Sequence, residues 1–382
     1  MIDDLNYRRH DKGGQPLDRA RALIRQWSGG PLMQGLLLDD QSLTMLGHDV
    51  YRVSCEASGI IRTWVIKRFA NQRSKLERLA ITQWLPNAAL AHICPTLLGV
   101  APDPSGEHVW HLYEDLGDYA LDPEQTQEGR PLGDRGFLTP LPEGPDRNRV
   151  DLLIHLMADV HERFMDNPLL DEYRSRSTDL GERFYRENVR DAIEELEALK
   201  DSQFAASKER TDTVNAVLSR MHQLRDEASW RTERLKDFGG RPTLLHGDFG
   251  VKNAFVVHTD SGLQAKLIDW DHTGVGPVSY DLSTFLVQLP LNDRIRTLDS
   301  YTRRRNRCTD EALPYETWNQ LFETHEFARL ANCVAWACKA VNEGQIEWTF
   351  EKLAKIDAWL EAWRPVLPVD EGIERREKIL HH

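Results

Sequence analysis

The sequence predicts an α+β fold in which a small β-rich N-terminal lobe precedes a larger, mainly helical C-terminal lobe. β-branched and aromatic residues dominate positions 50–69, which is typical of strands. Beyond Arg149, apolar residues recur every three or four positions, which is typical of helices. The 382 residues also exceed the roughly 150 of an average domain, so more than one lobe and a sizeable buried core are expected.

The N-terminal lobe is predicted to contain four strands and one helix. The strands are expected at 50–57, 60–69, 93–101 and 107–115. Tight turns should join the first pair at Ser58-Gly59 and the last pair at 103–106, because glycine, serine and aspartate favour turn conformations. Between the two pairs, apolar residues at helical spacing predict a helix over 72–85, which Pro86 would end because proline lacks the backbone N–H.

Residues 118–147 differ from both lobes, because they are rich in proline, glycine and charge and show no hydrophobic periodicity. Such a long irregular segment predicts a hinge followed by a surface insertion. From Arg149 helical spacing dominates, with a β-like interruption between 241 and 271. The predicted organisation is an N-terminal lobe over 1–117, a hinge and insertion over 118–148, and a C-terminal lobe over 149–382.

Composition and charge exclude several classes of function. The 48 Lys and Arg against 61 Asp and Glu give a net charge of −13, which argues against nucleic-acid binding because phosphate contacts need clustered positive charge. No apolar run approaches the roughly 18 residues of a membrane span, and the N-terminus lacks the apolar core of a secretion signal. The five cysteines are scattered without a CxxC pair, so neither a disulfide framework nor a thiolate zinc site is indicated. A cytoplasmic protein is therefore expected.

The stretch from Thr243 to Leu286 holds the most informative pattern of the chain. His246-Gly247-Asp248 is followed by Asn253, five positions after the aspartate. The segments AFVVH and LQAKLID, joined by the turn TDSG, predict a β-hairpin that ends at Asp269. Because a hairpin returns the chain to its starting point, we expect Asp248, Asn253 and Asp269 to lie close together.

These three side chains match the needs of phosphoryl transfer from a nucleotide. One carboxylate must orient the attacking hydroxyl and accept its proton, and hard oxygen ligands must hold Mg²⁺ against the phosphates. The spacing assigns the first task to Asp248 and makes Asn253 and Asp269 the Mg²⁺ ligands. A chance occurrence of H-x-D followed by asparagine is the alternative, and the second aspartate after a hairpin argues against it.

Two segments around these residues resemble a known family. LLHGDFGVKNAFV is similar to the catalytic loop, and LIDWDHTGVGPVSYDL to the metal-binding segment, of the protein-kinase-like phosphotransferases of the aminoglycoside phosphotransferase and choline kinase group. Glycine stands where protein kinases usually have arginine, and Asp-Trp-Asp stands in place of Asp-Phe-Gly. The resemblance is dense over 243–286 and looser over 42–118, and it implies a two-lobed protein-kinase-like fold.

The resemblance also implies which residues bind the nucleotide. A strand lysine, here Lys67, would pair with the α- and β-phosphates and would be held by a helix glutamate. Glu77 is the one acidic residue in the predicted helix and is the natural candidate. The phosphate-covering loop would include Gly47, with one glycine where protein kinases have three. The hinge around Glu114 and Leu116 would bind adenine through backbone groups.

Three further residues take supporting roles under the same resemblance. Asp281, near the start of a helix, would brace the catalytic loop, and His246 would hold the backbone of that loop. Asp271 would be either a second metal contact or a cap for the residues that follow it.

The expected activity is an ATP- and Mg²⁺-dependent transfer of the γ-phosphoryl group to a hydroxyl of a small polar molecule, such as an aminoglycoside, an amino alcohol or a sugar. An acidic C-terminal lobe suits a cationic acceptor, but this lobe carries the arginines within 303–307 as well as many acids, so sugars remain equally open. The alternatives are a catalytically inactive, kinase-like nucleotide-binding module and a helical adaptor protein. The complete set of Lys67, Asp248, Asn253 and Asp269 favours the enzyme.

Overall fold

The computed structural model describes residues 43–368 except 48, 58–59, 104, 122–145, 201, 203, 205–206 and 306–312. The described residues form two compact units. The first unit contains 43–121, 146–163 and 248–273, and the second contains 164–247 and 274–368. Most of the predicted insertion lies outside the described residues, and the lobe boundaries predicted at 117 and 148 stay a prediction.

A five-stranded antiparallel sheet forms the N-terminal part of the first unit. Its strands are β1 (Leu43–Gly47), β2 (Val50–Ala57), β3 (Ile60–Ala70), β4 (Leu97–Pro102) and β5 (His108–Glu114), in the order β1-β2-β3-β5-β4. The four predicted strands correspond to β2 to β5. Alternate residues of a strand point to the same face, and one face of this sheet is buried by a cluster that includes Val53, Ile66 and Trp110.

The register of β3 against β5 determines which side chains share the other face. Lys67 pairs with His111, and Val65 pairs with Tyr113. Ile66 lies between them in the chain and is fully buried in the core cluster on the opposite side. Lys67, His111 and Tyr113 therefore lie side by side on one surface of the sheet.

Helix α1 (Asn71–Leu79) packs against β3 and β5, then continues as a π-helical turn (Ala80–Trp84) and a final turn (Leu85–Asn87). The predicted helix end before Pro86 is therefore wrong, because the helix runs one residue past this proline. The Leu85 N–H donates to the Ala80 carbonyl, five residues back. This wider turn precedes the proline, whose ring and missing N–H are incompatible with ordinary α-helical bonding.

The remaining parts of the first unit are a helix and a hairpin. Helix α2 spans Arg147–Phe164, and strands β8 (Ala254–Thr259) and β9 (Gly262–Leu267) pair antiparallel through a two-residue turn. The Leu121 N–H donates to the Ala254 carbonyl at 2.8 Å, so the segment that follows β5 runs beside the hairpin. This is the hairpin that the sequence predicts.

A three-stranded sheet lies in the second unit, in the order β6-β10-β7. Its strands are β6 (Thr178–Asp179), β7 (Thr243–Leu245) and β10 (Gly274–Gly276). The chain approaches so closely here that a Cβ on Gly274 would lie 2.6 Å from the Thr178 carbonyl oxygen and the Leu180 side chain. Only glycine fits at that position, which explains the first glycine of the G-V-G-P sequence.

Eight helices make up most of the described part of the second unit. They are α3 (Leu170–Arg176), α4 (Glu182–Lys200), α5 (Lys208–Asp226), α6 (Ala228–Phe238), α7 (Ser279–Val287), α8 (Leu291–Arg305), α9 (Tyr315–Lys339) and α10 (Ile346–Ala362). Helix α9 is buried around most of its circumference because α4, α6, α7 and α10 all pack on it. Among the described residues, no helix combines the length and apolarity needed to cross a membrane. The β-rich N-terminal region and the mainly helical C-terminal region confirm the predicted α+β class.

Candidate active site

The loop that follows β7 brings Asp248 and Asn253 onto one short turn. Gly247 has a φ of +85°, a left-handed conformation that favours glycine at this position. Residues Val251–Asn253 form a 3₁₀ turn that leads directly into β8. The Asn253 side-chain amide donates to the Asp248 carbonyl oxygen at 2.9 Å and to Asp248 Oδ2 at 3.0 Å. The asparagine therefore orients the carboxylate.

The β8–β9 hairpin returns the chain to this turn and places Asp269 beside it. The Ile268 N–H donates to the Asn253 carbonyl oxygen at 3.0 Å, which joins the end of the hairpin to its start. Asp269 itself adopts a left-handed conformation with φ of 70°, which is uncommon for a residue with a side chain. Such strained backbone is concentrated at functional sites. The structure thus brings Asp248, Asn253 and Asp269 together.

Lys67 reaches the same cluster from β3. Its Nζ makes an ion pair with Asp269 Oδ1 and lies 4.5 Å from the centre of the Phe69 ring. Burial opposes ionisation of Asp269, but the charge and hydrogen bond of Lys67 hold the pKa of this carboxyl below its ordinary value. Asp269 is therefore a carboxylate at neutral pH.

Asp248 carries an ion pair of its own, with a residue that the sequence analysis missed. Lys252 Nζ lies 2.9 Å from Asp248 Oδ2. Burial would raise the pKa of Asp248, but the positive charges of Lys252 and His272 outweigh burial and hold this pKa well below its ordinary value. Lys252 directly precedes Asn253 in HGDFGVKN, and this position was the available signal.

Glu77 lies on α1 in a different electrostatic environment. Its side chain is buried, and Tyr113 Oη donates to Glu77 Oε1 at 3.0 Å. Burial, followed by the negative charge of Asp269, raises the pKa of Glu77 to about 7, although the charge of Lys67 lowers it. The charge of Lys67 acts on Glu77, but the ion pair that Lys67 makes is with Asp269, and the expected Lys67–Glu77 pair stays a prediction.

The remaining nucleotide candidates lie at the two ends of the sheet. Gly47 ends β1 and pairs with Val50 of β2, and His48 of the predicted phosphate-covering loop lies outside the described residues. The Glu114 carboxylate accepts hydrogen bonds from the Thr96 backbone N–H and hydroxyl, both at 3.0 Å. The Glu114 backbone N–H also donates to the Thr96 carbonyl oxygen at 3.0 Å, and adenine binding by this hinge stays a prediction. Leu116 is buried just after β5.

Asp271 contacts α1. Its side chain is 2 % exposed, and Arg73 Nη1 donates to Asp271 Oδ2 at 3.2 Å. The short turn Trp270–His272 packs against the same helix. Asp271 thus joins the segment after Asp269 to the helix that bears Glu77.

Asp281 and His246 lie in the second unit, where both are fully buried. Asp281 is in the first turn of α7, and its carboxylate accepts the backbone N–H groups of His246 at 2.7 Å and Gly247 at 3.0 Å. The two residues that precede Asp248 are therefore held by one buried carboxylate.

The oxygen atoms of Asn253 and Asp269 suit Mg²⁺ in chemistry and number. Among the described residues, no group of three or more His, Cys, Asp or Glu side chains could hold a metal ion. Mg²⁺ needs no such cage, because it keeps several waters and commonly takes one or two carboxylate ligands together with substrate phosphates. One ionised carboxylate and one amide oxygen, on turns joined by the Ile268–Asn253 hydrogen bond, fit that requirement.

Comparisons with known proteins show which family and which fold this chain resembles. The model of the phosphotransferase enzyme family matches residues 46–315, more than two thirds of the chain. The AMP-bound spectinomycin phosphotransferase structure is 12% identical, with a TM-score of 0.52 over 91% of this chain and 96% of that chain. Plasmodium vivax ethanolamine kinase is 12% identical, with a TM-score of 0.51 over 92% and 97%. These likenesses confirm the predicted protein-kinase-like fold. A comparison with curated protein sequences found no match.

Proposed function

This chain belongs to the phosphotransferase enzyme family, and from that premise we propose that it is an ATP- and Mg²⁺-dependent kinase for a hydroxyl group of a small polar molecule. The observation that carries this proposal is the clustering of Lys67, Asp248, Asn253 and Asp269 within one compact unit. Phosphoryl transfer requires little covalent chemistry from the protein, so catalysis comes from positioning and charge neutralisation. The cluster supplies both.

Asp248 would orient the attacking hydroxyl. Its low pKa keeps it ionised, so it accepts a hydrogen bond from the acceptor at any physiological pH. The same low pKa makes it a weak base, which suits a loose transition state in which the hydroxyl proton leaves late. Asn253 and Lys252 both bind Asp248 Oδ2, and these two contacts orient the carboxylate that would meet the acceptor hydroxyl.

Lys67 would bind the nucleotide phosphates from the opposite side of the cluster. Mg²⁺, held by Asn253 and Asp269, would neutralise the charge of the β- and γ-phosphates. The charge of Lys67 acts on both Asp269 and Glu77, and its flexible side chain would allow it to exchange one carboxylate for the other. With a net charge of −13, this protein depends on such local cations to bind an anionic nucleotide.

A spectinomycin phosphotransferase of the same fold has been seen with ADP and spectinomycin, at 13% identity and a TM-score of 0.51 over 85% of this chain and 89% of that chain.

The acceptor is proposed as a class rather than as one compound. The fold neighbours act, by their names, on spectinomycin and on ethanolamine, which are an antibiotic and an amino alcohol. The acidic balance of the chain favours a cationic acceptor of this kind, and sugars are the third class to be tested.

A screen with γ-labelled ATP and Mg²⁺ over aminoglycosides, amino alcohols, sugars and nucleosides tests the proposal. Asp248→Asn and Asp269→Asn are each expected to remove more than about nine tenths of the label transfer seen with the wild type. Asp260→Asn is the matched control, because Asp260 is exposed at the far turn of the same hairpin. Its activity should equal that of the wild type.

Two results would overturn the assignment. One is retention of more than about a tenth of wild-type turnover by either cluster variant. The other is a wild-type protein that is stabilised thermally by Mg-ATP yet labels no acceptor, which would indicate the catalytically inactive module instead.

A further inference from the structure

Four buried polar side chains of α1 and β5 in the first unit are joined in a polar chain, a continuous series of hydrogen bonds that ends at Glu77. Ser74 Oγ lies 2.7 Å from His111 Nε2, His111 Nδ1 lies 2.9 Å from Tyr113 Oη, and Tyr113 Oη lies 3.0 Å from Glu77 Oε1. All four side chains are less than a tenth exposed. Of these residues, only Glu77 has a role in the nucleotide site proposed above.

The direction of every hydrogen bond in this chain follows from proton counting. When Glu77 is ionised, Tyr113 donates its one hydroxyl proton to Glu77 Oε1, so it must accept from His111 Nδ1–H. Burial, together with the positive charges of Arg78 and Lys67, lowers the pKa of His111 to about 3, so the ring is neutral and has a single N–H. His111 Nε2 therefore accepts the Ser74 hydroxyl proton. One tautomer of His111, with the proton on Nδ1, satisfies the whole chain.

Sequence periodicity places these groups on one surface. His111 and Tyr113 are two residues apart on β5 and share a face, and Ser74 and Glu77 are three apart on α1 and share a side of the helix. The sheet register sets His111 directly beside Lys67. The His111 ring also packs at 4.7 Å on the Phe69 ring, over which the Lys67 ammonium lies. The polar chain and Lys67 thus lie on the same side of the sheet.

Glu77 has one oxygen engaged by this chain and one that is not. Tyr113 binds Oε1, whereas Oε2 is buried and lacks a hydrogen bond of good geometry within the described residues, although the Trp270 backbone N–H also lowers the pKa of this carboxyl. A buried carboxylate oxygen without a donor is unfavourable and is satisfied best by a nearby cation. Lys67 is the nearby cation, because its charge already acts on Glu77 while its Nζ pairs with Asp269.

We propose that His111 and Tyr113 are positioning residues for nucleotide binding, which hold Glu77 Oε1 so that Oε2 faces Lys67 when that lysine leaves Asp269. The inference rests on the proposed function of Lys67 and Glu77. Because Tyr113 orients the carboxylate in advance, the Lys67–Glu77 pair forms without a further loss of side-chain freedom. Transfer of Lys67 to Glu77 would also release Asp269 Oδ1, so that the Asp269 carboxylate would be available to hold Mg²⁺.

The first test is spectroscopic and needs no activity. In protein with ¹⁵N-labelled histidine, the His111 signals are assigned by their loss in His111→Gln. At pH 8, above the pKa of Glu77, His111 should show the neutral Nδ1–H tautomer, and it should not titrate between pH 5 and 8. Tyr113→Phe removes the acceptor of this N–H and should shift the His111 resonances. An Nε2–H tautomer, or a His111 that titrates in this range, would overturn the proposal.

The second test measures binding of Mg²⁺ and a non-hydrolysable ATP analogue by calorimetry. Tyr113→Phe is expected to weaken binding about tenfold, as one charge-assisted hydrogen bond would. Tyr51→Phe is the matched control, because Tyr51 is on β2 of the same sheet, where it packs on the opposite core face, and its binding should equal that of the wild type. Thermal melting of both variants separates a loss of affinity from a loss of fold.

The outcomes of this second test are distinguishable. Equal affinity in the wild type and Tyr113→Phe overturns the positioning role and leaves the proposed kinase function standing. A wild type that does not bind the analogue at all overturns the proposed function and this inference together.

Discussion

Replacing Asp281 with asparagine tests how much of the catalytic loop depends on one buried carboxylate. In the wild type this carboxylate is fully buried and accepts the backbone N–H groups of His246 at 2.7 Å and Gly247 at 3.0 Å. Asparagine has nearly the same shape but offers one oxygen and one amide group. One of the two backbone N–H groups would then face a donor instead of an acceptor.

The expected loss of stability follows from the two hydrogen bonds that the Asp281 carboxylate accepts. A hydrogen bond to a charged group contributes about 1.5–3 kcal/mol, and a neutral one about 1 kcal/mol. The substitution removes one charged bond and makes the other neutral, so the free energy of unfolding should fall by about 2–5 kcal/mol. Total stabilities are about 5–15 kcal/mol, so a variant of a protein of average stability should still fold. Turnover should fall by about a hundredfold, because the loop that positions Asp248 loses its anchor.

Urea unfolding checks the expected loss of stability, and steady-state kinetics check the expected loss of turnover. Asp212→Asn is the matched control, because Asp212 is an exposed carboxylate near the start of α5 that pairs with Lys208. An exposed pair of this kind contributes little to stability, because water and salt screen it. An Asp281→Asn variant that is as stable and as active as the control would refute the reasoning, since it would show that the carboxylate does not brace the loop.

Three further predictions concern charges around the site. Relative to Glu77→Gln, the unfolding free energy of the wild type should fall by about 3 kcal/mol as pH rises from 4.5 to about 7. A carboxyl group whose pKa is raised by folding favours the unfolded state as it ionises, and a difference that does not change with pH would contradict this. Lys252→Met should raise the pKa of Asp248 and lower turnover about tenfold or more, while Lys252→Arg keeps most of the activity; equal turnover in Lys252→Met and the wild type would exclude this role. Arg73→Met and Asp271→Asn should each reduce stability through one shared contact, so a double-mutant cycle should give losses well short of additive, whereas additive losses would mean that the two residues act separately.

The parts of the site that could be predicted from sequence are those within a short stretch of chain. Asp248, Asn253 and Asp269 span 22 residues, and a hairpin with a recognisable turn brings their positions together. The Asp281 carboxylate could be placed near the catalytic loop from the motif that it ends. The strands of the N-terminal sheet were predictable because β-branched and aromatic residues fill them.

Other features escaped prediction because they depend on local bonding that no simple pattern records. Pro86 predicted a helix end, yet a π-helical turn carries the helix to Asn87. Lys252 stood within the motif itself, but the spacing rule names only the aspartate and the asparagine. Its ion pair with Asp248 depends on the 3₁₀ turn Val251–Asn253, which the motif spacing does not specify.

The sequence by itself determined the α+β class, the catalytic loop and the family resemblance, because periodicity and motif spacing are properties of neighbouring residues. The tertiary structure alone decided that Lys67 pairs with Asp269, 202 positions away, and that Arg73 engages Asp271. It also decided the tautomer of His111, since that depends on Tyr113 and Ser74 lying at opposite ends of one ring. Such pairs depend on sheet register and helix packing, in which a shift of one residue would send every side chain to the other face.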